Sequence, residues 1–152
     1  MLVYLLRHGI AESEAGSDRA RELTREGIMQ TRDVAEKFKR HSPILDKAIM
    51  SPYPRARQTA SSLQTVFSEL QFDVDSRIEP DGDVYAVMDA IANFGVQQLL
   101  MVSHNPFLSN MLAVMVDGTM KTNRYIGNSV LVCVSLDLMA PGCGKILYAL
   151  QP

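Results

Sequence analysis

The sequence predicts an α/β layer fold with a largely parallel sheet. Apolar runs of strand length alternate with amphipathic segments of helical spacing along the chain. The connections between them are mostly short, as helices layered on a sheet require. The last two strand candidates meet around the turn "APGCG", so the sheet should also contain an antiparallel pair.

"LVYLL" (2–6) is an apolar run of strand length. "LTREGIMQTRDVAEKFKRH" (23–41) sets Ile28, Thr31, Ala35 and Phe38 on one helical face, with Thr24 as N-cap. "ILDKAIMS" (44–51) is the second strand candidate. The segment 54–70 opens on Pro54, tolerated in a first helical turn, and carries Ala56, Ala60, Leu63, Val66, Phe67 and Leu70 at helical spacing. "FDVD" (72–75) is a short strand, and 83–94 a helix stopped by Gly95. "QQLLMVS" (97–103) is the fourth strand, followed by a buried helix over 106–116 that ends near Gly118. Strands over 129–137 and 144–150 close the chain. Residues 9–22, 76–82 and 117–128 are the longest irregular pieces.

With 152 residues, 47% of them hydrophobic and 21% charged, the chain has the material for one core, and 1–152 reads as a single domain. A net charge of -2 argues against a general binder of nucleic acid or anionic membrane. No apolar run approaches the ~20 residues of a membrane span. No basic stretch precedes the first apolar run, so a signal peptide is not expected. Cys133 and Cys143 match no zinc spacing and read as free thiols, which suits a reducing cytoplasm. Nine methionines without tryptophan read as flexible core filler.

In parallel α/β sheets the ligand crevice lies outside the carboxyl ends of the strands. There the sequence places Arg7, His8 and Gly9 after the first strand, and Arg55 or Arg57 in the helical turn after the second. His104 comes directly after the fourth. Two histidines and at least two arginines at one sheet edge suit phosphoryl transfer. A guanidinium meets two phosphoryl oxygens at once and stays charged. Helix N-termini add N–H donors. Gly9 allows a close main-chain approach. Flanking arginines favour a neutral, nucleophilic imidazole. His41, ending the basic stretch "KFKRH", and Arg57 carry no expected role beyond helix-end and surface charge.

"LLRHG", "SPYPRARQT" and the late "SH" together resemble the histidine phosphatase (phosphoglycerate-mutase-like) superfamily. The short length and the segments "DRARELTREG" and "PDGDVYAV" are most similar to the SixA-type phosphohistidine phosphatases within it. The resemblance implies a three-layer α/β/α fold with a mostly parallel, six-strand mixed sheet in which one strand is antiparallel. It selects Arg55 over Arg57. It implies His8 as the nucleophile, Arg7 and Arg55 as holders of the phosphoryl oxygens, and His104 as a hydrogen-bond donor to them. Arg21 would be an auxiliary phosphate ligand, and no metal or organic cofactor is implied.

One departure bears on the substrate. Larger members carry a glutamate, or an aspartate after the second histidine, as general acid. Here Asn105 comes after His104, and only Glu79, Asp81 and Asp83 are candidates for the other position. A phosphoramidate leaves as an easily protonated imidazole and needs less acid help than an ester. The expected substrate is therefore phosphohistidine on a protein, such as a histidine phosphotransfer domain, met by a monomer with little chain to spare for a lid. A small-molecule phosphomonoesterase of the same superfamily is the alternative. A metal hydrolase built on His8, His104 and Asp83 is disfavoured by the arginines, and a non-catalytic phospho-ligand module by the intact nucleophile.

Overall fold

Alternation of side chains along β1 (Leu2–Arg7) explains its unbroken apolar run. Val3 and Leu5 enter one hydrophobic cluster, and Tyr4 and Leu6 enter the other. In the computed structural model, which describes residues 1–152, β4 (Gln98–Ser103) and β5 (Leu131–Leu136) divide in the same way. One face of the sheet is covered by α1 (Arg25–Lys39) and α2 (Pro54–Gln64), which supply Val34, Phe38, Ala56 and Leu63. The other is covered by α3 (Val84–Ala92) and α4 (Phe107–Asp117), which supply Met88, Ile91, Phe107 and Met111. The fold is the three-layer α/β/α arrangement expected.

With β2 (Lys47–Met50), β3 (Asp73–Val74) and β6 (Gly144–Leu150), the sheet runs in the order β3-β2-β4-β1-β5-β6. β1 to β4 are mutually parallel. β5 is antiparallel to β1, and β6 antiparallel to β5, so β5 is the one reversed strand. Register brings Arg7 beside Ser103 and Met50 beside Val102. The ends of β2, β4 and β1 therefore lie side by side, and the residues just past each of these strands meet in one place.

Local chemistry sets the element ends. The Thr24 side chain accepts from Gly27 N–H at the start of α1, and Pro54 opens α2. Gly118 ends α4 in the left-handed region, φ 74°. Several boundaries differ from expectation. α2 stops at Gln64 rather than at 70, yet Val66, Phe67 and Leu70 still pack against the cluster as loop residues. β2 begins at Lys47, because the Asp46 carboxylate accepts from the N–H groups of Gln97 and Gln98 (2.8 Å each), leaving Ile44 outside and exposed. β5 begins at Leu131, because Ser129 takes a positive φ of 56°.

Candidate active site

His8 lies just past β1, 6% exposed, and its ring is fixed at both nitrogens. Nδ1 donates to the Gly9 carbonyl (2.7 Å), which leaves Nε2 with the lone pair, and Arg55 Nε donates to it (3.2 Å). Asn128 Nδ2 donates to both the His8 and Gly9 carbonyls (3.1 and 3.3 Å) and steadies the segment. Burial holds the imidazole pKa down to about 4, helped by the charges of Arg55, Arg7 and Arg21 and opposed by the bond to Gly9. His8 is a neutral base near pH 7.

His104, just past β4, packs its ring 5.0 Å from that of His8. It is 1% exposed, and burial first, then His8 and Arg55, press its pKa to about 2. Its Nε2 bonds Ser51 Oγ (2.7 Å) at the end of β2. That oxygen also accepts from Tyr53 N–H (3.4 Å), which leaves its proton able to turn to Nε2, a pairing that puts the ring proton on Nδ1. His104 Nδ1 is buried without a partner, as is Arg7 Nε. Arg7 is held through Nη1 by Tyr125 Oη (2.8 Å) and the Ile126 carbonyl (2.9 Å).

Arg55 sits in the first turn of α2, 3% exposed, whereas Arg57 is exposed and donates to the Pro52 carbonyl (3.0 Å). Besides His8, Arg55 reaches Asp18, through Nη1 to the main-chain oxygen (2.6 Å) and Nη2 to Oδ2 (3.0 Å). Arg21 bonds Asp18 Oδ1 (3.1 Å) and the carbonyls of Glu12 and Ala11 (2.6 and 3.4 Å). Arg7, His8, Arg21 and Arg55, with Asp18, Asn105 and Asn128, line a cleft of about 310 Å³. A larger groove of about 560 Å³ lies at the opposite, amino end of β2. Its Lys39 and Lys47 are spent on the Val66 carbonyl and on Asp73, and no catalytic constellation stands there.

Several expectations need correction. None of the three acid candidates lines the cleft. Glu79 is held bidentate by Arg19 (3.0 and 3.2 Å), Asp83 caps α3 by accepting from the N–H groups of Tyr85 and Ala86, and Asp81 is an exposed loop residue. Gly9 is needed for a different approach from the one expected. A Cβ there would stand 2.7 Å from the Gly27 carbonyl of α1, and its N–H is spent on Thr59 Oγ1 (3.1 Å). Sequence reading missed Asp18, Ser51 and Asn128. Ser51 had a signal as the first residue of the arginine motif, and Asp18 as the first residue of "DRARELTREG". No group of three or more His, Cys, Asp or Glu side chains is placed to hold a metal ion.

The model of the histidine phosphatase superfamily, branch 1, matches residues 3–79. Phosphohistidine phosphatase SixA of Escherichia coli K12 is 30% identical across all of this chain and 94% of its own. A SixA homolog of Haemophilus influenzae is 33% identical over 74% of this chain and 76% of its own. The solved structure of the protein histidine phosphatase SixA complexed with tungstate superposes with a TM-score of 0.89 at 29% identity, over 100% of this chain and 97% of that one. The family match takes in β1 with its Arg-His-Gly end and α2 with Arg55, and the end-to-end relative extends the likeness past His104. On that footing the chain belongs to the histidine phosphatase superfamily.

Proposed function

We propose that this protein is a phosphatase that removes phosphoryl groups from histidine on a protein substrate, through a phosphorylated His8. The carrying observation is the neutral His8 ring, with Nδ1–H held by Gly9 and the Nε2 lone pair presented to an arginine-lined cleft. The reading is supported by the name of the relative matched from end to end.

In the first step Nε2 attacks phosphorus, and the bond to the substrate nitrogen breaks with its electron pair returning to the leaving ring. His8 keeps its Nδ1 proton, and the cationic phosphorylated ring is steadied by the Gly9 carbonyl. Arg55 Nε then loses the Nε2 lone pair as acceptor and turns to a phosphoryl oxygen. Arg7 and, at longer reach, Arg21 serve the other oxygens. On this reading His104, its ring 5.0 Å from that of His8 and its buried Nδ1 without a partner, donates from Nδ1–H as charge builds on them. In the second step water attacks phosphorus, and the P–Nε2 bond breaks with its electron pair returning to the ring. Both water protons leave with the phosphate as dihydrogenphosphate, and His8 departs neutral. No residue of the cleft is a ready acid, since Asp18 is held below the ordinary carboxylate range, first by its bond to Arg21 and then by Arg55. An imidazole leaving group tolerates that, and an alkoxide does not.

The reading is of a monomer in a reducing cytoplasm, acting on another protein without nucleic acid, membrane or cofactor. Its test is kcat/KM on a phosphorylated histidine phosphotransfer domain beside phosphoserine and sugar phosphates, with an acid-labile, alkali-stable phosphoenzyme trapped on His8. A sugar phosphate that outpaces the phosphohistidine protein would move the assignment to the small-molecule alternative. Normal turnover by His8→Ala would overturn the mechanism.

A further inference from the structure

Asp18 is the only negative group lining the cleft, and it lies on the arginines the reaction needs. Arg55 commits all three of its nitrogens, Nε to His8 Nε2 (3.2 Å), Nη1 to the Asp18 main-chain oxygen (2.6 Å) and Nη2 to Asp18 Oδ2 (3.0 Å). The other carboxylate oxygen takes Arg21 Nη1 (3.1 Å). A phosphoryl dianion on His8 must draw on the same guanidinium, so two anions compete for one fork. The carboxylate is the one that yields. Its side chain is 65% exposed and screened by water, while that of Arg55 is 4% exposed and would meet phosphoryl oxygens inside the cleft.

We propose that Asp18 is the specificity-determining residue that makes this site favour a phosphoryl group carried on a protonated imidazole over free phosphate and phosphate esters. This rests on the phosphohistidine reading above and deepens it. Phosphate and esters bring mostly anionic oxygens, so Asp18 loses the Arg55 Nη2 bond and gains a like charge beside it. A phosphoimidazolium brings the same phosphoryl oxygens together with a ring N–H and a positive charge. The displaced carboxylate then exchanges one N–H donor for another. When His8 Nε2 forms its bond to phosphorus, the substrate's P–N bond breaks and the ring leaves as neutral imidazole, still carrying that proton. Asp18 acts as an anion throughout, which agrees with a carboxylate that Arg21 and Arg55 keep ionised.

The neighbours of Asp18 hold it at the cleft without fixing its side chain. It opens a 3₁₀ turn capped by Ser17, and the next residue, Arg19, grips Glu79 and covers the Tyr53 ring at 4.5 Å. Asp18→Asn keeps shape and removes charge at an exposed side chain, so the fold should stand. The experiment compares wild type and Asp18→Asn in kcat/KM on phosphoimidazole and a phosphorylated phosphotransfer domain, against p-nitrophenyl phosphate. Calorimetry on both proteins gives the dissociation constant of inorganic phosphate. Removing one like charge should tighten phosphate about tenfold, raise ester turnover and lower phosphoramidate turnover about tenfold, collapsing the discrimination by about 100-fold. Phosphate binding that weakens while both substrate classes fall together would make Asp18 a mere support for Arg55, and unchanged discrimination would equally overturn the inference. Either result leaves the phosphohistidine reading standing. A wild type inactive on both phosphoramidates would overturn the two together.

Discussion

Arg55 and Arg57 share a helical turn and face different worlds. Residues two apart on a helix point about 200° apart, so the turn that buries Arg55 against His8 sends Arg57 into solvent. Arg55→Ala should lower kcat/KM on a phosphoramidate by on the order of 10²-fold or more, because it removes a donor that tightens in the transition state. Arg57→Ala should change it little, and comparable mild losses from both would mean the cleft is misplaced. Ser51 acts one bond further out, on the tautomer of His104. Ser51→Ala should lower kcat more than it raises KM and shift the ¹⁵N signature of the His104 ring away from the Nδ1–H form. A spectrum unchanged by the substitution would count against that role. The placement of the candidate site residues was legible where a residue comes directly after a strand, as His8 and His104 do, or opens a helix, as Arg55 does. Asp18 was not, because it sits mid-loop and only the folded course of residues 9–22 carries it onto Arg55 and Arg21. Glu79, one of three candidate acids, could not be oriented from sequence for the matching reason. An acid in a loop belongs to whichever cation folding brings, and here that is Arg19.

The motif "SPYPRARQT" works as a row of fasteners along the entry to α2. Ser51 holds His104, Arg55 holds His8, Gln58 Oε1 accepts from Leu23 N–H (2.6 Å) at the exit of the 9–22 loop, and Thr59 Oγ1 accepts from Gly9 N–H. One motif thus pins both histidine-bearing strand ends and the arginine-bearing loop. Thr59→Val keeps the shape but strands the buried Gly9 N–H, which should cost about 1–3 kcal/mol of stability. Activity should fall with it as His8 loses its fixed position. Urea unfolding and kcat measured on the same preparation check both, and a variant as stable and active as wild type would show the bond to be dispensable. The elements were largely legible because their signals are local, such as Pro54 at a helix start, Gly118 past a helix end and an apolar run of strand length in β1. Boundaries failed where apolar spacing continued past its element. Val66, Phe67 and Leu70 look helical in sequence because they face the core, and a loop packed on that core gives them the same neighbours.

Across the whole molecule, a core on both faces of the sheet leaves the carboxyl edge of β2, β4 and β1 as the place where polar groups meet, and the chain buries two imidazoles there. That burial makes stability depend on pH. Unfolded, each ring takes a proton near about pH 6.5. Folded, His8 holds out to about 4 and His104 to about 2. Between the unfolded and folded values the unfolded chain binds more protons, so stability falls as pH drops below about 6.5 and is unaffected by these rings above it. For His8 the loss by about pH 5 is on the order of 2 kcal/mol, with His104 adding a similar amount if the two act independently. The carboxylates of Asp18, Asp75 and Asp117 are held low by arginines, so their stabilisation survives this window and is lost only in more acidic solution. Urea unfolding of wild type and His8→Asn from neutral pH to about pH 5 separates these sources. The wild type should lose stability steeply, and His8→Asn should lose about 2 kcal/mol less over the same range. Parallel curves for the two proteins would mean that His8 gains its proton while folded, and the neutral nucleophile on which the proposed chemistry depends would go with it.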